Sequence, residues 1–512
     1  MYDNKEDPTS KKIIKNTGWV YVGFAFNTLI SFLIMPFIVR NLGVDAYGVF
    51  AIVGAAIGYV SLLEFGIGTS LIKFIAEYTA EKEYEKINKI ISTAFVLYLI
   101  LGSIGCGTIL IFTDFFVNSL FHIPENLIDV AKFVFMITAF TFLYSFVFGV
   151  FSNIITGLQR FDITNKIQII MRALSSVAVV SVLWLGYGLA EFVIVTALFG
   201  VIGITINIII AKRLMPEICL IPRYFDIELV KDIAGFSFAV FIANIAGTII
   251  FNIDKLLIGI FLSIEQVTIY TIGATLSLIV FQMPSKIAPV ILPASSELNA
   301  KNDKTGIKEL ILRGTKFAVM LSTPLVLVLF TMAHPIIKFW MGSGFETSAY
   351  ILQILVLGFY INTFTHALTP ALVGTGKVKI CVYYAIISII INISLSIILI
   401  LKIGVLGAAL GTSITMIILW SIFTIHTSNV FDISVLHLFE ALKRTILVGA
   451  GLFISLYLLF NYFPPDNLYL LLTCVVCVGV IYLALVVTVI LNPYERKLVL
   501  NSLPFIQQKK QK

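Results

Sequence analysis

Five ionisable side chains stand inside long apolar stretches of the sequence, where charge is rare and costly. They are Glu64, Arg172, Asp254, Lys255 and Lys286. A charged group at the centre of a bilayer costs about 2.5 to 3.5 kcal/mol on insertion scales, so such groups usually face a bundle interior or a watery cavity. Three cations against two anions leave a positive surplus. A cavity with that surplus favours an anionic ligand such as a phosphate or pyrophosphate.

A purely structural interpretation stays open for each of these residues. Arg172 and Lys286 each stand near the end of an apolar run, where a long side chain can reach the interface. Asp254 and Lys255 are consecutive, so on a helix they point in different directions and do not simply pair with each other. Glu64 precedes Phe-Gly-Ile-Gly-Thr, which predicts a locally broken helix with a carboxylate near exposed backbone.

Motifs of soluble enzymes and of cofactor or metal sites are missing from the sequence. Gly374-Thr-Gly-Lys377 lacks the first glycine of a phosphate-binding loop, and Val378 replaces its Ser or Thr. No HExxH occurs, and the five histidines and five cysteines are scattered. We therefore expect no enzyme activity, no cofactor and no metal site. The net charge of +7 does not indicate a nucleic-acid partner, because its meaning lies in how the charged residues are distributed among the loops.

The elements that must position these charges are transmembrane helices. Hydrophobic residues make up 59% of the 512 positions and charged residues 12%, about half the charged share of a soluble protein. A bilayer span needs about 20 mostly apolar residues, and such runs predict about fourteen spans. They are 17–39, 46–70, 90–112, 129–152, 167–186, 190–211, 236–261, 267–291, 315–334, 348–370, 380–401, 404–425, 445–463 and 468–490.

The loop charges test this count through the rule that positive charge stays on the cytoplasmic side. With fourteen alternating spans, nearly every loop Lys and Arg falls on the side that also holds both termini. The opposite side holds Arg40, Lys132, Lys338 and Lys402. A missed or invented span would destroy this alternation from that point on. We therefore predict a multi-pass protein of the cytoplasmic membrane with both termini in the cytoplasm.

Glycines recur at a near-constant offset, which indicates an internal repeat. Gly157 and Gly374 are 217 residues apart, Gly186 and Gly404 are 218 apart, and Tyr47 has a counterpart in Tyr270. Six spans separate each pair, so the two halves keep the same orientation and are parallel. The predicted fold is an all-α polytopic membrane protein with two parallel six-helix lobes and a C-terminal helix pair. Its predicted parts are a cytoplasmic tail at 1–16, lobes at 17–213 and 236–428, a cytoplasmic linker at 214–235, the added pair at 429–491 and a basic cytoplasmic tail at 492–512.

Several segments, read in order, resemble one known family. They are Arg40-Asn-Leu-Gly-Val-Asp-Ala-Tyr-Gly-Val-Phe, Leu62-Leu-Glu-Phe-Gly-Ile-Gly-Thr-Ser, Ile154-Ile-Thr-Gly-Leu-Gln-Arg-Phe, Asn252-Ile-Asp-Lys-Leu-Leu-Ile-Gly, Val267-Thr-Ile-Tyr and Ala371-Leu-Val-Gly-Thr-Gly-Lys. This order resembles the polysaccharide-biosynthesis flippases, the Wzx-like branch of the MATE/MOP superfamily that includes O-antigen transporters. The family often carries aspartate beside the position of Gly66, where this chain has Glu64.

The resemblance implies a MATE-like fold with a central aqueous cavity that opens to each side in turn. It also implies a flippase that moves a polyprenyl-(pyro)phosphate-linked oligosaccharide to the outer leaflet. On this hypothesis Arg172, Lys255 and Lys286 contact the phosphate and sugar, while Glu64 and Asp254 pair with these cations or respond to a coupling ion, Na⁺ or H⁺. Membrane lipid and the substrate are the expected partners, with a glycan polymerase or glycosyltransferases as possible associates, and we expect a monomer.

Three other functions stay open on the sequence. A MATE-type antiporter that exports drugs with Na⁺ or H⁺ would share the fold. A twelve-span symporter fits less well, because the span count differs and the loop at Glu77–Lys89 lacks the Gly-x-x-x-Asp-Arg pattern of that class. A scaffold in a glycan-assembly complex would need none of the interior charges.

Overall fold

The computed structural model describes residues 8–218, 220, 224–231, 249, 251–493 and 495–496, with side chains from residue 21 onward. The described residues are almost entirely helical. The first half holds α1 (Pro8–Leu42), α2 (Val44–Val60), α3 (Ile67–Glu81), α4 (Tyr84–Phe115), α5 (Ile128–Phe148), α6 (Val150–Gly157), α7 (Phe161–Trp184), α8 (Leu189–Leu214) and α9 (251–261).

The second half continues with eleven more helices. They are α10 (Ile264–Ser285), α11 (Ala288–Ala300), α12 (Lys304–Thr331), α13 (Ala333–Met341), α14 (Glu346–Asn362), α15 (Leu368–Gly374), α16 (Val378–Ile403), α17 (Val405–Thr415), α18 (Ser421–Val430), α19 (Val435–Tyr462) and α20 (Leu468–Leu485). Single turns of 3-10 or π-helix extend several of these, including Ser61–Glu64 after α2.

Thirteen helical segments of the described residues are long and apolar enough to cross a membrane. They agree in order with thirteen of the fourteen predicted spans. The remaining prediction, 236–261, lies largely outside the described residues, which include 249 and 251–261 of it. The predicted all-α, polytopic membrane fold is therefore confirmed.

The chain forms two compact units, Met1–Thr268 (unit 1) and Ile269–Lys512 (unit 2). Helix α9 belongs to unit 1 because it packs on α2, where a Cβ added at Gly259 would lie 3.5 Å from Ile52 Cγ1. This division follows packing alone, and the predicted limits of the two lobes and the linker stay predictions. Each unit has its own buried apolar core, centred on Leu71 and Ile154 in unit 1 and on Ile311 and Leu372 in unit 2.

The predicted offset recurs in the backbone of the two units. Short helix α6 ends in a left-handed Gln159 (φ 57°), and short helix α15 ends 217 residues later in a left-handed Gly376 (φ 77°). Gly186 (φ 85°) and Gly404 (φ 67°) follow α7 and α16 with the same positive φ. A positive φ is uncommon for residues other than glycine, so its recurrence at offsets of 217 and 218 residues supports two copies of one helical plan.

The two short helices also cross a neighbour in the same way. A Cβ at Gly157 would lie 3.2 Å from the Ile72 carbonyl oxygen of α3, and one at Gly374 would lie 2.7 Å from the Leu292 carbonyl oxygen of α11. Both glycines therefore permit a close helix crossing that a side chain would obstruct. Their offset in the sequence reflects a shared packing requirement.

The C-terminal helix pair, α19 and α20, is fastened to α12 inside unit 2. Pro324 has no N–H, so the carbonyl of Met320, four residues earlier, lacks its helical donor. The Tyr482 hydroxyl of α20 donates to that carbonyl oxygen at 2.9 Å. Four residues before Met320 on α12, Lys316 Nζ lies 2.5 Å from Glu495 Oε2 in an ion pair whose side chains are 10% and 7% exposed. The two C-terminal helices are thus an integral part of unit 2.

Candidate functional site

Unit 1 contains an open polar pocket of about 630 Å³ between four helices. Its walls come from α1, α6, α7 and α8. The lining residues are Asn27, Ser31, Ser152, Thr156, Thr164, Ile167, Gln168, Met171, Arg172, Ser175, Thr196, Phe199, Gly200, Gly203, Ile204 and Asn207. Arg172 is the lining residue that carries a formal charge, and most of the others offer hydroxyl or amide groups.

Helical periodicity brings these polar groups together. Residues three, four, seven or eight apart share one face of a helix. Such spacings place Asn27 with Ser31 on α1, and Ser152 with Thr156 on α6. On α7 they place Thr164, Gln168, Arg172 and Ser175 in one stripe, and on α8 they align Thr196, Gly200, Gly203 and Asn207. Each of the four helices therefore contributes a polar stripe to the pocket.

Arg172 is the twelfth of the 24 residues of α7, roughly 16 Å from the helix start at a rise of 1.5 Å per residue. Its Nη2 donates to Ser31 Oγ of α1 at 2.8 Å. A guanidinium has five N–H donors, so this bond fixes its position and leaves donors directed to the pocket that it lines. Snorkelling to the interface does not describe this mid-helix position. The apolar run of the sequence predicts a position near the helix end, because α7 begins at Phe161, before the apolar run begins.

Neutral groups complete the wall opposite α7. Asn207 Nδ2 donates to Ser152 Oγ at 3.0 Å and joins α8 to α6. The space beside α8 is open: a Cβ built on Gly200 meets no atom within 4 Å, while one on Gly203 would lie 3.3 Å from Met171 Cγ. Gly200 therefore faces free volume in the pocket, whereas Gly203 packs against Met171 in the pocket wall.

Glu64 lies at a helix break in another part of unit 1. The 3-10 turn Ser61–Glu64 ends in left-handed Phe65 (φ 50°) and Gly66 (φ 76°), as the Gly-rich sequence predicted. The Tyr98 hydroxyl donates to Glu64 Oε1 at 3.1 Å, and Asn153 Nδ2 donates to the Tyr98 oxygen at 3.3 Å. A non-glycine residue at positive φ is strained, and this network from α4 and α6 holds the break in place.

Asp254 and Lys255 lie on α9, which packs on α2. Asp254 is 1% exposed. Neighbouring Asn252 lies beside Gly58, where an added Cβ would be 3.5 Å from its Nδ2. Asp254 is thus held within the unit, whereas Lys255 is half-buried on another side of the helix.

Lys286 belongs to unit 2, in the two-residue turn between α10 and α11. It directly follows the last residue of α10, and the apolar segment continues through α11 to Ala300. Its predicted position near the end of a span stays a prediction. Of the five predicted residues, Arg172 therefore lines the polar pocket, whereas Glu64, Asp254 and Lys255 occupy other places in unit 1. Their roles in binding or coupling stay predictions.

Sequence reasoning missed the neutral members of the pocket. Thr164, Gln168 and Ser175 keep helical spacing with Arg172, and this stripe is visible inside the apolar run. The searched, described residues hold no group of three or more His, Cys, Asp or Glu side chains that could bind a metal ion. The chemistry of the pocket is therefore hydrogen bonding around one cation.

The architecture is that of a multi-pass membrane protein with the fold shared by solved MurJ and MATE structures. The structure titled "Lipid II flippase MurJ, inward closed conformation" superposes with a TM-score of 0.71 at 16% identity, covering 92% of this chain and 98% of that one. At this identity the likeness establishes the fold. A family model described as MatE also matches residues 239–398.

The chain belongs to the polysaccharide biosynthesis protein family, whose model matches residues 13–299. This result confirms the predicted family. A relative named "Putative O-antigen transporter" from Shigella flexneri is 24% identical and covers 79% of this chain and 95% of its own length. Another, named "Probable low-salt glycan biosynthesis flippase Agl15" from Haloferax volcanii, is 23% identical and covers 77% and 79%.

Proposed function

We propose that the protein is a flippase that moves a polyprenyl-(pyro)phosphate-linked oligosaccharide across the cytoplasmic membrane for cell-surface polysaccharide synthesis. The observation that carries this proposal is the polar pocket around Arg172 within a bundle of apolar helices. Family membership and the names of the two relatives support the same cargo. No enzymatic step is needed, since translocation makes and breaks no covalent bond.

The physical task is to move a glycan and its phosphate through hydrocarbon. Each sugar hydroxyl or phosphate oxygen that lost water without a replacement partner would cost several kcal/mol. Helices that present polar stripes to an internal space supply those partners, while the lipid chain stays in the bilayer. In this proposal Arg172, Lys255 and Lys286 attract the phosphate side of the substrate. Glu64 and Asp254 pair with these cations or bind the coupling ion, Na⁺ or H⁺.

The loop charges support the proposed orientation, with both termini in the cytoplasm. We further propose, from the family resemblance, that the protein acts as a monomer and that a glycan polymerase or glycosyltransferases work beside it. Reporter fusions at the two termini and at the loop near Lys338 test the orientation. Activity of a cytoplasmic reporter at the Lys338 loop would contradict it.

Deletion of the gene tests the proposed cargo directly. We expect lipid-linked oligosaccharide to accumulate in the inner leaflet, where an added impermeant glycan-binding probe cannot reach it in intact spheroplasts. Re-expression should restore labelling, and Lys255→Ala should reduce it without lowering the amount of protein in the membrane. Normal labelling in the deletion strain, with no other flippase present, would contradict the function.

The MatE match over residues 239–398 favours one second candidate, a cation-coupled drug exporter. Such a protein should lower the accumulation of cationic dyes in cells that express it. The proposed flippase should restore glycan display and leave dye accumulation unchanged. Dye export without glycan display would reverse the assignment.

A further inference from the structure

We propose that the pocket of unit 1 selects the glycan, and that it binds a hydroxyl-rich sugar unit carrying one anionic group held by Arg172. This inference rests on the proposed flippase function and deepens it. The anionic group is an oxyanion next to a sugar ring, either a sugar phosphate or the carboxylate of a sugar acid.

The charge of the pocket matches a single anion. Arg172 is the one ionisable residue among its sixteen lining residues. A guanidinium binds a carboxylate or phosphate through two parallel N–H bonds, which is stronger than neutral hydrogen bonding. A second negative charge on the same sugar unit would lose water without a cation to replace it. The pocket therefore disfavours a ligand such as free pyrophosphate.

The neutral lining matches sugar hydroxyls. Asn27, Gln168 and Asn207 each carry an amide that can donate and accept, and six Ser and Thr hydroxyls surround them. A sugar hydroxyl also donates and accepts, so it can satisfy these groups. Several of these groups already donate within the protein, but the side-chain oxygen of Asn207 is buried without a hydrogen-bond partner among the described residues. An apolar cation would offer that oxygen no donor and would also face Arg172. Sites built to hydrogen-bond a ligand reject analogues that lack the matching groups.

The space in the pocket admits a ring. Its volume of about 630 Å³ falls within the range of about 300 to 1,000 Å³ typical of ligand sites. Phe199, Ile167 and Ile204 supply apolar surface for the carbon face of a sugar. Gly200 leaves room beside them, because no atom lies within 4 Å of a Cβ at that position.

Filling the pocket is the first test. Gly200→Trp places an indole in the open volume without a clash at its Cβ, so folding is preserved and glycan export should fall at least tenfold. Gly451→Trp is the matched control, since Gly451 is also a helical, exposed glycine with no atom within 4 Å of an added Cβ. The control should export normally. Normal export by Gly200→Trp at equal membrane levels would overturn the assignment and leave the flippase function standing.

Ligand protection is the second test, and it needs no transport. Purified Ser175→Cys protein lacking the five native cysteines is reacted with a maleimide in the presence of soluble probes. Glucose 1-(methyl phosphate), a phosphate diester with one negative charge, or glucuronate should slow labelling at concentrations at least tenfold below methyl glucoside and inorganic pyrophosphate. The better of the two acids identifies the source of the anion, phosphate or carboxylate.

Removing the cation completes this test. Arg172→Gln in the same background should weaken protection by the preferred acid about ten- to a hundredfold, as expected for loss of a charged hydrogen bond. Arg172→Lys should recover part of it, because lysine keeps the charge but not the fork. Equal protection by methyl glucoside, equal protection by pyrophosphate, or no protection by any probe would each overturn the inference.

Discussion

The polar stripe of α7 in unit 1 and the matching stripe of α16 in unit 2 share their backbone and differ completely in chemistry. Gly186 and Gly404 end the two helices with positive φ and set an offset of 218 between them. At that offset Thr164, Gln168, Arg172 and Ser175 correspond to Val382, Ile386, Ile390 and Ile393. Ile386 and Ile390 are 51% and 60% exposed, so this face of α16 suits hydrocarbon where that of α7 suits water.

Other equivalent positions of the two units differ in the same way. At the offset between the left-handed residues Lys82 and Asn302, Tyr98 of unit 1 corresponds to Ala318 of unit 2. At the offset between the short helices, Asn153 corresponds to Pro370. The network that holds Glu64 in unit 1 thus has no polar counterpart at these positions in unit 2. The repeat preserves helix ends and close crossings, which depend on glycine and on φ, while the side chains that face the interior have diverged.

Unit 2 uses polar groups for attachment. The Tyr482 hydroxyl satisfies the carbonyl freed by Pro324, and Lys316 pairs with Glu495. If unit 1 keeps its polar groups for a ligand and unit 2 keeps its own for structure, substitutions in the two units should separate stability from transport.

Lys316→Ala should destabilise the protein most. It leaves Glu495 buried without its cation, and breaking a buried ion pair typically costs about 3 to 5 kcal/mol. Thermal unfolding of the purified protein in detergent measures the loss. Lys316→Met combined with Glu495→Leu should recover much of it, because the two apolar residues leave no buried charge. An unchanged melting temperature for Lys316→Ala would show that the pair does not fasten the C-terminal helices.

Ile390→Arg should impair insertion of α16. It copies the charge of Arg172 onto an exposed face of α16 made mostly of isoleucine, with Ser394 one turn away, and arginine at a helix centre costs about 2.5 to 3.5 kcal/mol on insertion scales. A glycosylation-mapping assay of α16 in its full chain reports the inserted fraction. The matched comparison is Arg172→Ile, which should insert at least as well as the native helix. Equal insertion of Ile390→Arg would mean that this face of α16 lines an aqueous space.

Tyr482→Phe should have a smaller effect, about 1 to 3 kcal/mol, because it leaves the Met320 carbonyl without a donor in a buried place. Tyr469→Phe on the same helix serves as control, since Tyr469 is 84% exposed and should change little. Both are compared by thermal unfolding. Equal melting temperatures would show that another group satisfies the carbonyl.

Converting the α7 stripe to that of α16 should hardly change stability. Thr164→Val, Gln168→Ile and Arg172→Ile together remove the Ser31 bond but also remove a charge from a span, so we expect a net change within about 1 kcal/mol. Glycan export should nevertheless be lost at normal membrane levels. Strong destabilisation would instead assign the stripe of unit 1 a structural role like that of Tyr482 and Lys316.

The sequence predicted those features that depend on local residues. Apolar runs of span length, the break after Glu64 and the glycines at constant offset each depend on a few neighbouring positions. The pocket was not predicted, because its walls come from α1 and from helices more than a hundred residues further along the chain. Arg172 was placed near a helix end because Asp162, Asn165 and Lys166 make the first turns of α7 polar, although they are helical.

The ion pair of unit 2 joins residues that are 179 positions apart. A ribosome adding about 5 to 20 residues per second reaches Glu495 roughly 10 to 40 seconds after Lys316. During that interval α12 enters the membrane with its lysine unpaired and with the carbonyl of Met320 still lacking Tyr482. Unit 2 is therefore completed only when the last helix arrives, and a chain truncated before α20 carries two unmet polar groups that a membrane quality-control protease can recognise.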